Sequence, residues 1–572
     1  MKKNLLLLCA FLILSISAFM FAARGLQSSF KVYAADGPTE ANIGPRTNNY
    51  DDPIGAIYVS PGGNDATADG SITAPFKSIN TALAAASDGG AIVLRNGTYK
   101  EGINVRVETP GITIKSAKGE WAIIDLREHD SGHEDDSGVW FYPGSNGGRL
   151  QAVEVIGGYY AVCVDTEWDW PDPILEPGVH GPGVSGVIIE DCKLHDSKDD
   201  VVKVKPGCDN ITIRYNEIYN SGREHITHPD FVTGERNSEG IDNVNGGNMK
   251  AQNNYIHDIC STGVYAKGGA RNALIENNRI ERAYAAGIMV GFDTSPAFFS
   301  TDTNPEYYEN IDGVVRNNLI INTGWEGIGL YASKNAEIYN NTIINAVTYG
   351  TGNYHTPIYF GIATQDEDPI SGMPANINPS IHHNVVCQPA SYNRAMIEIR
   401  YIEELNLYEY IDDVLVLAKT RELFSLSGMP DMHDNCYYIE GKSATFTDNR
   451  PDSKAAAVSL AAWKAHIAGD TGSVDTNPVL DDDYIATAPQ CIGMGIQFLL
   501  IETTPSPTDD DPETPPGPPD GPGDGDPETP PSQPDEPNGK GLSTAEIVGI
   551  VAGSIAVLGI SGIIIYLIKK RK

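Results

Sequence analysis

The chain has 572 residues, of which 20% are charged and 41% hydrophobic, so most of it has the composition of a folded protein. Its formal net charge of −36 at pH 7 argues against a nucleic-acid partner, which would need a basic surface. The 59 glycines favour a turn-rich, all-β protein over a helical one.

The N-terminus has the pattern of a secretory signal. Lys2 and Lys3 precede an apolar run over residues 5–23. A basic segment followed by an apolar one is typical of signal peptides. Small residues predict cleavage after Ala34, with a site nearer Ala23 as the alternative. We therefore expect the protein to be exported.

The C-terminus has the pattern of a membrane anchor on a stalk. A Pro-, Asp- and Glu-rich tract over 503–540 cannot bury a core and predicts a disordered, extended segment. An uncharged apolar run over 547–568 follows, and then four basic residues, 569–572. At about 1.5 Å per residue, such a run spans a bilayer core of roughly 30 Å, and the basic end indicates the cytoplasmic side. A buried helix is the alternative.

These features divide the chain into six parts and predict that its folded domain stands on the extracellular face of the cell membrane. The predicted parts are a signal peptide (1–34), a lead-in (35–54), a folded domain (55–500), a stalk (501–542), one transmembrane helix (543–568) and a cytoplasmic tail (569–572).

A five-residue phrase rich in Asn and ending in an aliphatic residue recurs along the folded domain. Its final residues are spaced 24, 38, 24, 40 and 23 positions apart. A repeat of this length with β-branched residues and stacked asparagines predicts a solenoid in which each repeat forms one coil. The phrases end at Leu194, Ile218, Ile256, Ile280, Ile320 and Ile343.

A second short strand accompanies most of these phrases, at 202–205, 241–244, 264–267, 288–291 and 328–331. Alternation along these strands predicts that one face points into the coil and the other outward. The predicted inward residues are Val202, Val204, Val264, Ala266, Ile288, Val290, Ile328 and Leu330. The predicted outward residues are Lys203, Lys205, Asp242, Tyr265, Lys267 and Met289.

This pattern resembles the right-handed parallel β-helix of pectate-lyase-like proteins over about residues 55–498. The start at 57–65, a helix over 80–86 and the strand-like 91–94 are similar to that family's N-terminal cap and first coil. The segment 459–482 is similar to its C-terminal close. The resemblance implies an all-β, right-handed parallel β-helix solenoid with an N-terminal helix cap.

Four insertions interrupt the coils at 165–185, 221–237, 292–311 and 349–378, and all enter or leave the strand that carries the outward lysines. Loops that gather on one face of a scaffold tend to be functional, so we expect a groove there. Aromatic residues on its walls would suit sugar rings, although ordinary loop packing is the alternative. These residues are Trp168, Trp170, Phe292, Phe298, Phe299, Tyr307 and Tyr308.

Acidic residues converge on the predicted groove floor. Asp199 and Asp200 precede one strand, and Glu239 and Asp242 occupy the next coil. Alignment from the strand starts places Asp200 over Glu239, about 4.8 Å away. Stacked carboxylates repel, and a Ca²⁺ ion taking several of their oxygens would neutralise them. Pairing with Lys203 is the alternative.

Basic residues lie on the same predicted floor. Lys205 and Lys267 fall at the same coil position, and Arg271 follows in the next turn. β-Elimination from a uronate needs a cation or arginine to neutralise the substrate carboxylate, and a base to take the α proton. We therefore predict catalytic roles for Lys267, Lys205 and Arg271, with Tyr265 contacting substrate.

The segment Ser238–Asp242 resembles the calcium motif of family-nine pectate lyases, and Asp200 matches that family's further calcium aspartate. Residues 263–269 are similar to the segment that carries the family's catalytic lysine, here Lys267. The resemblance implies Ca²⁺ on Asp200, Glu239 and Asp242, with Lys267 as base. Three departures stand out: Ser238 replaces an aspartate, the spacing from glycine to lysine differs, and a loop intervenes before Glu239.

A histidine pair, His225 and His228, lies in the second insertion with Asp230. His-x-x-His with a nearby carboxylate can ligate zinc, but contact with substrate is the interpretation that a groove loop favours.

The sequence thus predicts a cell-surface, carbohydrate-active protein with a polysaccharide as partner. The first hypothesis is a polysaccharide lyase that cleaves a uronate polymer with Ca²⁺ and a lysine base. The alternatives are a non-catalytic β-helix for glycan binding or adhesion, and a glycoside hydrolase whose groove carboxylates do acid and base work.

Overall fold

The computed structural model describes residues 42–128, 136–167, 181–223, 237–349, 355–363, 374–411 and 414–497. Successive coils of the chain contribute strands to three sheets of 12 strands each. Neighbouring strands pair in parallel, apart from the last strand of the third sheet. The predicted parallel β-helix is therefore confirmed.

The first sheet carries the strand before each Asn-rich turn. Its strands are Ile57–Val59, Ala91–Leu94, Thr113–Ser116, Arg149–Gln151, Ile188–Glu190, Thr212–Arg214, Lys250–Gln252, Leu274–Glu276, Val314–Arg316, Glu337–Tyr339, Ser380–His382 and Asp431–His433.

The second sheet carries the strand after that turn. Its strands are Gly97–Tyr99, Ala122–Asp125, Val153–Ile156, Lys193–His195, Glu217–Tyr219, Tyr255–Ile259, Arg279–Ala283, Leu319–Ile321, Thr342–Ile344, Val385–Gln388, Cys436–Ile439 and Val474–Asp475.

The third sheet carries the residues predicted to form the groove floor. Its strands are Val105–Val107, Val139–Phe141, Val162–Val164, Val202–Val204, Ile241–Val244, Val264–Lys267, Ile288–Val290, Ile328–Tyr331, Ile358–Gly361, Ile397–Ile399, Thr445–Asp448 and Ala455–Ser459.

Smaller elements complete the described part of the chain. A fourth sheet of two-residue strands forms at Ala270–Arg271, Asn310–Ile311, Ser333–Lys334, Asn376–Ile377 and Leu426–Ser427. Helices lie at Ile79–Ala85 and Leu460–Ile467, with short 3₁₀ turns at Pro296–Phe298 and Pro451–Ser453.

The two helices close the coil stack. Ile79 of the first and Trp463 of the second are fully buried and join the main apolar core. The first helix lies one residue from its predicted range, 80–86. The second begins inside the predicted closing segment, where the Ser459 side chain accepts a hydrogen bond from Ala462 N.

The third-sheet register settles which residues face inward. Val202 pairs with Ile241 and Ile241 with Val264, and these side chains are fully buried in the main core. The next residues along these strands, Lys203, Asp242 and Tyr265, also pair in register and lie on the opposite face of the sheet. The predicted alternation is therefore confirmed.

Stacked asparagines hold the turn between the first and second sheets. In each coil the side-chain Nδ2 donates to Oδ1 of the next asparagine at 2.9–3.1 Å, and every member is fully buried. This ladder satisfies backbone groups that the turn would otherwise leave unpaired. Its members are Asn216, Asn254, Asn278, Asn318, Asn341, Asn384 and Asn435.

We expect Asn278→Ala to lower the free energy of unfolding by about 3 kcal/mol, because it removes several buried hydrogen bonds and leaves partners unsatisfied. Asn278 Nδ2 donates to Ala251 O and to Asn318 Oδ1. Urea unfolding measures the loss. Asn272→Gly is the matched control, since this exposed asparagine bonds to Asn248 in a left-handed turn that glycine also adopts. A control as destabilised as Asn278→Ala would contradict the role of the buried ladder.

Charged pairs on the outer face of the second sheet predict a loss of stability in acid. The pKa of Glu217 is lowered to about 2 by its hydrogen bond with His257 and by the nearby Lys193. The hydrogen bond from Arg282 likewise lowers the pKa of Asp258 to about 2. A carboxyl group whose pKa is lowered in the folded state stabilises that state at pH values above its ordinary pKa. This stabilisation is lost as the pH falls towards 2. We expect Glu217→Gln to reduce the fall in unfolding free energy between pH 5 and pH 2 in urea titrations. An unchanged pH dependence would contradict this.

An antiparallel hairpin and the packing of one insertion differ from expectation. The hairpin strands Tyr401–Ile411 and Val414–Phe424 form an excursion between coils, and no repeat phrase marks them.

In the 292–311 insertion, Phe299 is fully buried and Tyr308 is 8% exposed. The prediction that Phe299 lines a groove wall was wrong, because this ring packs over the third sheet.

Phe299 belongs to an outer apolar cluster that lies on the outward face of the third sheet. Phe292 stacks on Tyr265 with ring centroids 5.4 Å apart and packs against the cluster edge. Its buried members are Tyr265, Ala286, Met289, Phe299, Tyr331, Ala332, Tyr359 and Ala363. The cluster covers the coils that follow Lys267.

The predicted signal peptide (1–34), stalk (501–542), transmembrane helix (543–568) and tail (569–572) lie outside the described residues. Within the described ranges, no helix combines the length and the apolar character needed to cross a bilayer.

Candidate active site

Three carboxylates meet on the outward face of the third sheet. Oxygens of Asp200, Glu239 and Asp242 lie within 4.8 Å of one another. Asp200 is 2% exposed, and the other two are 1% exposed. Asp200 Oδ1 accepts a hydrogen bond from Glu239 N at 2.7 Å, which joins the two coils at the predicted register.

Lys203 lies among these carboxylates. Its Nζ is 3.0 Å from Asp200 Oδ2 and 2.5 Å from Asp242 Oδ2. The sequence left open whether a cation or Lys203 neutralises the acids, and these two ion pairs show that the lysine takes part.

Lys203 does not satisfy the whole cluster. Both carboxylate oxygens of Glu239 and Oδ1 of Asp242 are buried without a hydrogen-bond partner. Unpaired carboxylate oxygens in a closed site are costly, and oxygen ligands of this kind are what Ca²⁺ prefers. The donor set of Asp200, Glu239 and Asp242 therefore fits a hard divalent cation.

Glu239 is the carboxylate of the cluster that has no counter-charge. Burial and the neighbouring Asp200 raise the pKa of Glu239 well above its ordinary value. Burial also acts to raise the pKa of Asp242, but Lys203 and Lys267 outweigh it and hold that pKa low. Burial tends to lower the pKa of Lys203, yet Asp200 and Asp242 raise it well above normal. Lys203 is thus a fixed cation, whereas Glu239 still lacks a counter-charge.

Lys267 stands beside the carboxylates at the end of its strand. Its Nζ is 3.7 Å from Asp242 Oδ2 and 4.2 Å from the ring centroid of Tyr265. Its side chain is 11% exposed, more than any of the three carboxylates. A ligand approaching this face would therefore meet the ammonium group of Lys267 before the acids beneath it.

The turn after Lys267 needs glycine. Gly268 and Gly269 have φ angles of 66° and 92°, in the left-handed region that favours glycine. A Cβ added at Gly268 would lie 2.8 Å from Val244 Cγ1, which is too close. This tight turn ends the strand at Lys267 and so fixes the position of that residue.

Glu309 anchors that turn, although no sequence pattern predicted a role for it. Its carboxylate accepts hydrogen bonds from Gly268 N (2.6 Å), Thr294 N (2.8 Å) and Thr294 Oγ1 (2.7 Å). Glu309 is fully buried at the end of the third insertion. No local motif marks it, because its partner lies 41 residues earlier in the chain.

Asp199 and Ser238 form a pair next to the cluster. Ser238 Oγ donates to Asp199 Oδ1 at 3.0 Å. Burial and the charge of Asp200 raise the pKa of Asp199 to about 7. Asp199 is not among the three converging carboxylates, so a direct metal contact for it stays a prediction. Its bond to Ser238 places a carboxylate beside the position where the resemblance expects an aspartate.

Two other predicted residues, Lys205 and Arg271, have partners outside the carboxylate cluster. Lys205 Nζ is 3.4 Å from Asp165 Oδ1, and Arg271 donates to Asn245 Oδ1 at 3.2 Å from the fourth sheet. Tyr265 is 2% exposed. Tyr265 lies beneath Lys267 as a buried support, and contact of its ring with substrate stays a prediction. Catalytic roles for Lys205 and Arg271 stay predictions.

The remaining predicted substrate-binding residues lie outside the described residues. They are Trp168, Trp170, His225 and His228.

Comparison with known proteins agrees with this architecture. A family model described as a right-handed β-helix region matches residues 177–359, which include the three strands of the site. The chain is also 33% identical over 119 residues to the pectate lyase PEL9 of Emericella nidulans. The chain is a right-handed parallel β-helix, similar in sequence to a pectate lyase. The aligned part of this β-helix protein is 18% of its own length and 29% of the relative's.

Solved structures similar to this β-helix have low sequence identity. The crystal structure of pectate lyase Pel9A is 16% identical, with a TM-score of 0.39, over 58% of this chain and 76% of that one. The A-module of the mannuronan C-5 epimerase AlgE6 of Azotobacter vinelandii is 12% identical, with a TM-score of 0.38, over 70% of this chain and 94% of that one.

Proposed function

We propose that this β-helix protein is a polysaccharide lyase that cleaves a uronate-containing polymer by β-elimination, with Ca²⁺ on Asp200, Glu239 and Asp242 and Lys267 as the base. The observation that carries the proposal is the buried, incompletely paired carboxylate cluster 3.7 Å from the Lys267 ammonium group. The sequence similarity to a pectate lyase supports the same reaction class.

The α proton of a uronate is too weakly acidic to leave unless the adjacent carboxylate is neutralised. A bound Ca²⁺ would supply that neutralising charge. Asp200, Glu239 and Asp242 hold the site together across two coils, and Lys203 fixes the geometry of two of them. Asp200 and Glu239 each stand two residues before a third-sheet strand, and Asp242 lies on one. Because these strands pair in register, the three residues need no rearrangement to lie side by side.

Lys267 is placed to take the proton. In the proposed step its neutral amine removes the proton α to the carboxylate, and the released electron pair forms a double bond to the β carbon. The bond from that carbon to the glycosidic oxygen breaks, and the leaving oxygen takes a proton from solvent. The buried Tyr265 and the turn at Gly268 hold the lysine in position.

The glycoside hydrolase alternative fits this cluster less well. Inverting hydrolases separate their two carboxyl groups by about 6.5–9.5 Å to admit a water molecule, whereas retaining hydrolases hold theirs about 5–5.5 Å apart and need one of them free to act as a nucleophile. Here the carboxylate oxygens lie within 4.8 Å of one another, and two of the acids are held by Lys203. We further propose, from the predicted signal and anchor, that the enzyme acts at the cell surface and keeps its products near the cell.

The proposal is tested by incubating the full chain and Ca²⁺ with polygalacturonate, alginate and a glycosaminoglycan. We expect one polymer to yield products with the ultraviolet absorbance of an unsaturated uronate. New reducing ends without that absorbance would identify a hydrolase. Binding without cleavage of any polymer would favour the non-catalytic glycan-binding alternative.

A further inference from the structure

Two cysteines meet where the returning C-terminal segment packs on the second sheet. Cys436 is the first residue of the strand Cys436–Ile439, and Cys491 belongs to the last segment that the structure describes. Their Sγ atoms are 3.1 Å apart, and both residues are fully buried. The contact therefore joins two parts of the chain that are 55 positions apart in sequence.

Packing alone does not account for so short a contact between sulfur atoms. Non-bonded carbon atoms prefer a separation of about 3.5–4.0 Å, and sulfur is larger than carbon. A thiol is also a weak hydrogen-bond donor, so little attraction offsets the crowding. The sulfur atoms of a disulfide are about 2.05 Å apart, so an approach of about 1 Å would bring the pair to bonding distance.

The backbone holds Cys491 in place. Cys491 N donates to Ala488 O at 2.8 Å, and Met494 N donates to Cys491 O at 3.0 Å. Gly495 N then donates to His383 O at 2.7 Å, which ties the segment to a coil. These hydrogen bonds fix the segment on both sides of the sulfur atom, so the two thiols face each other at a defined position.

An apolar cluster surrounds the two thiols. Its buried members are Val385, Cys436, Ala486, Ala488, Cys491 and Met494. Burial raises the pKa of both cysteines, which makes them poor nucleophiles in the folded chain. A bond between them would therefore form while the segment closes, and the cluster would afterwards shield it from reductants.

From this contact we propose that Cys436 and Cys491 form a disulfide that fastens the C-terminal segment to the solenoid. One thiolate attacks an external disulfide such as oxidised glutathione and releases one small thiol. The other thiolate then attacks the mixed disulfide and releases the second, so two electrons and two protons pass to the oxidant. Oxidants of this class are available outside the cytosol, where the predicted signal peptide would direct the chain.

The cross-link acts at the point where the folded domain meets the rest of the chain. After residue 497 the sequence continues into the predicted stalk, so a pull from the predicted membrane anchor reaches the domain through this segment. A covalent bond at Cys491 would keep the segment from separating from the second sheet. Closing a loop of 55 positions would also disfavour the unfolded chain.

The test refolds the full chain from urea and reductant into a glutathione redox buffer, with a second portion kept under reductant. Free thiols are then blocked with N-ethylmaleimide, and the chain is digested without reduction. We expect mass spectrometry to find a peptide pair that joins Cys436 to Cys491 and is lighter by two hydrogen atoms than the separate peptides. The oxidised chain should also unfold at a temperature a few degrees above that of the reduced chain.

Cys491→Ser should remove the cross-linked pair and make the unfolding temperature independent of the redox buffer, an effect that lost packing alone would not produce. The matched control is Cys192→Ala, because Cys192 is another fully buried thiol, with its Sγ near the carbonyl oxygens of Leu150 and Glu190. This control should keep both the cross-link and the redox-dependent unfolding temperature.

Two results would overturn the proposal. The first is recovery of both cysteines as alkylated peptides from the unaltered chain refolded in the glutathione buffer. The second is a bond from Cys491 to Cys387, which packs at the edge of the same apolar cluster.

Discussion

Lys267→Ala should abolish turnover, lowering kcat by about 10²–10⁴-fold while leaving the fold and substrate affinity largely intact. The physical reason is that the only proposed proton acceptor is removed, whereas the carboxylates beneath it and the third-sheet strands are unchanged. Initial rates of unsaturated product formation on the active polymer measure the effect, and circular dichroism checks the fold.

Lys250→Ala is the matched control for this change, because Lys250 is an exposed lysine on the first sheet. It should retain the full rate. If Lys267→Ala also retains activity, Lys267 is not the base, and the same assay on Lys205→Ala then shows whether the other predicted lysine takes that role.

Glu239→Gln should remove the Ca²⁺ dependence of the enzyme. At a Ca²⁺ concentration 100-fold above Kd, the unaltered protein gains about 2.7 kcal/mol of stability, and we expect most of this gain to disappear in the variant. Without Ca²⁺ the variant should be at least as stable as the unaltered protein, because it replaces a buried carboxylate that has no partner. Thermal unfolding with and without EDTA, together with the lyase rate, measures both effects.

The control for Glu239→Gln is Glu337→Gln, which changes the same chemical group at an exposed position of the first sheet. Its response to Ca²⁺ should match that of the unaltered chain. If EDTA and Glu239→Gln both leave the rate unchanged, Lys203 alone neutralises the cluster and Ca²⁺ has no part in the reaction.

The local periodicity of the sequence predicts much of the fold. The phrases ending at Ile218 and Ile256 repeat because each coil must fill the same interior and close the same turn, so residues within one coil suffice to reveal the pattern. Alternation in 264–267 likewise placed Val264 inside and Lys267 outside, as the structure has them. The stacking of Asp200 on Glu239 could be predicted from the sequence because the strands that follow them start in register.

What the sequence could not reveal depends on contacts between distant segments. The role of Glu309 arises only when the third insertion folds back to Gly268. Phe299 was expected on a groove wall, but folding buries it in the outer apolar cluster, since an aromatic residue in a loop looks the same in either setting.

The most direct measurement is a crystal structure of the Lys267→Ala chain with Ca²⁺ and a uronate oligosaccharide. We expect an ion in contact with Asp200, Glu239 and Asp242, and a sugar ring bound above them with its α carbon facing the vacated position of residue 267. A cluster that binds no ion at saturating Ca²⁺, or a sugar bound away from the third sheet, would contradict the proposed site.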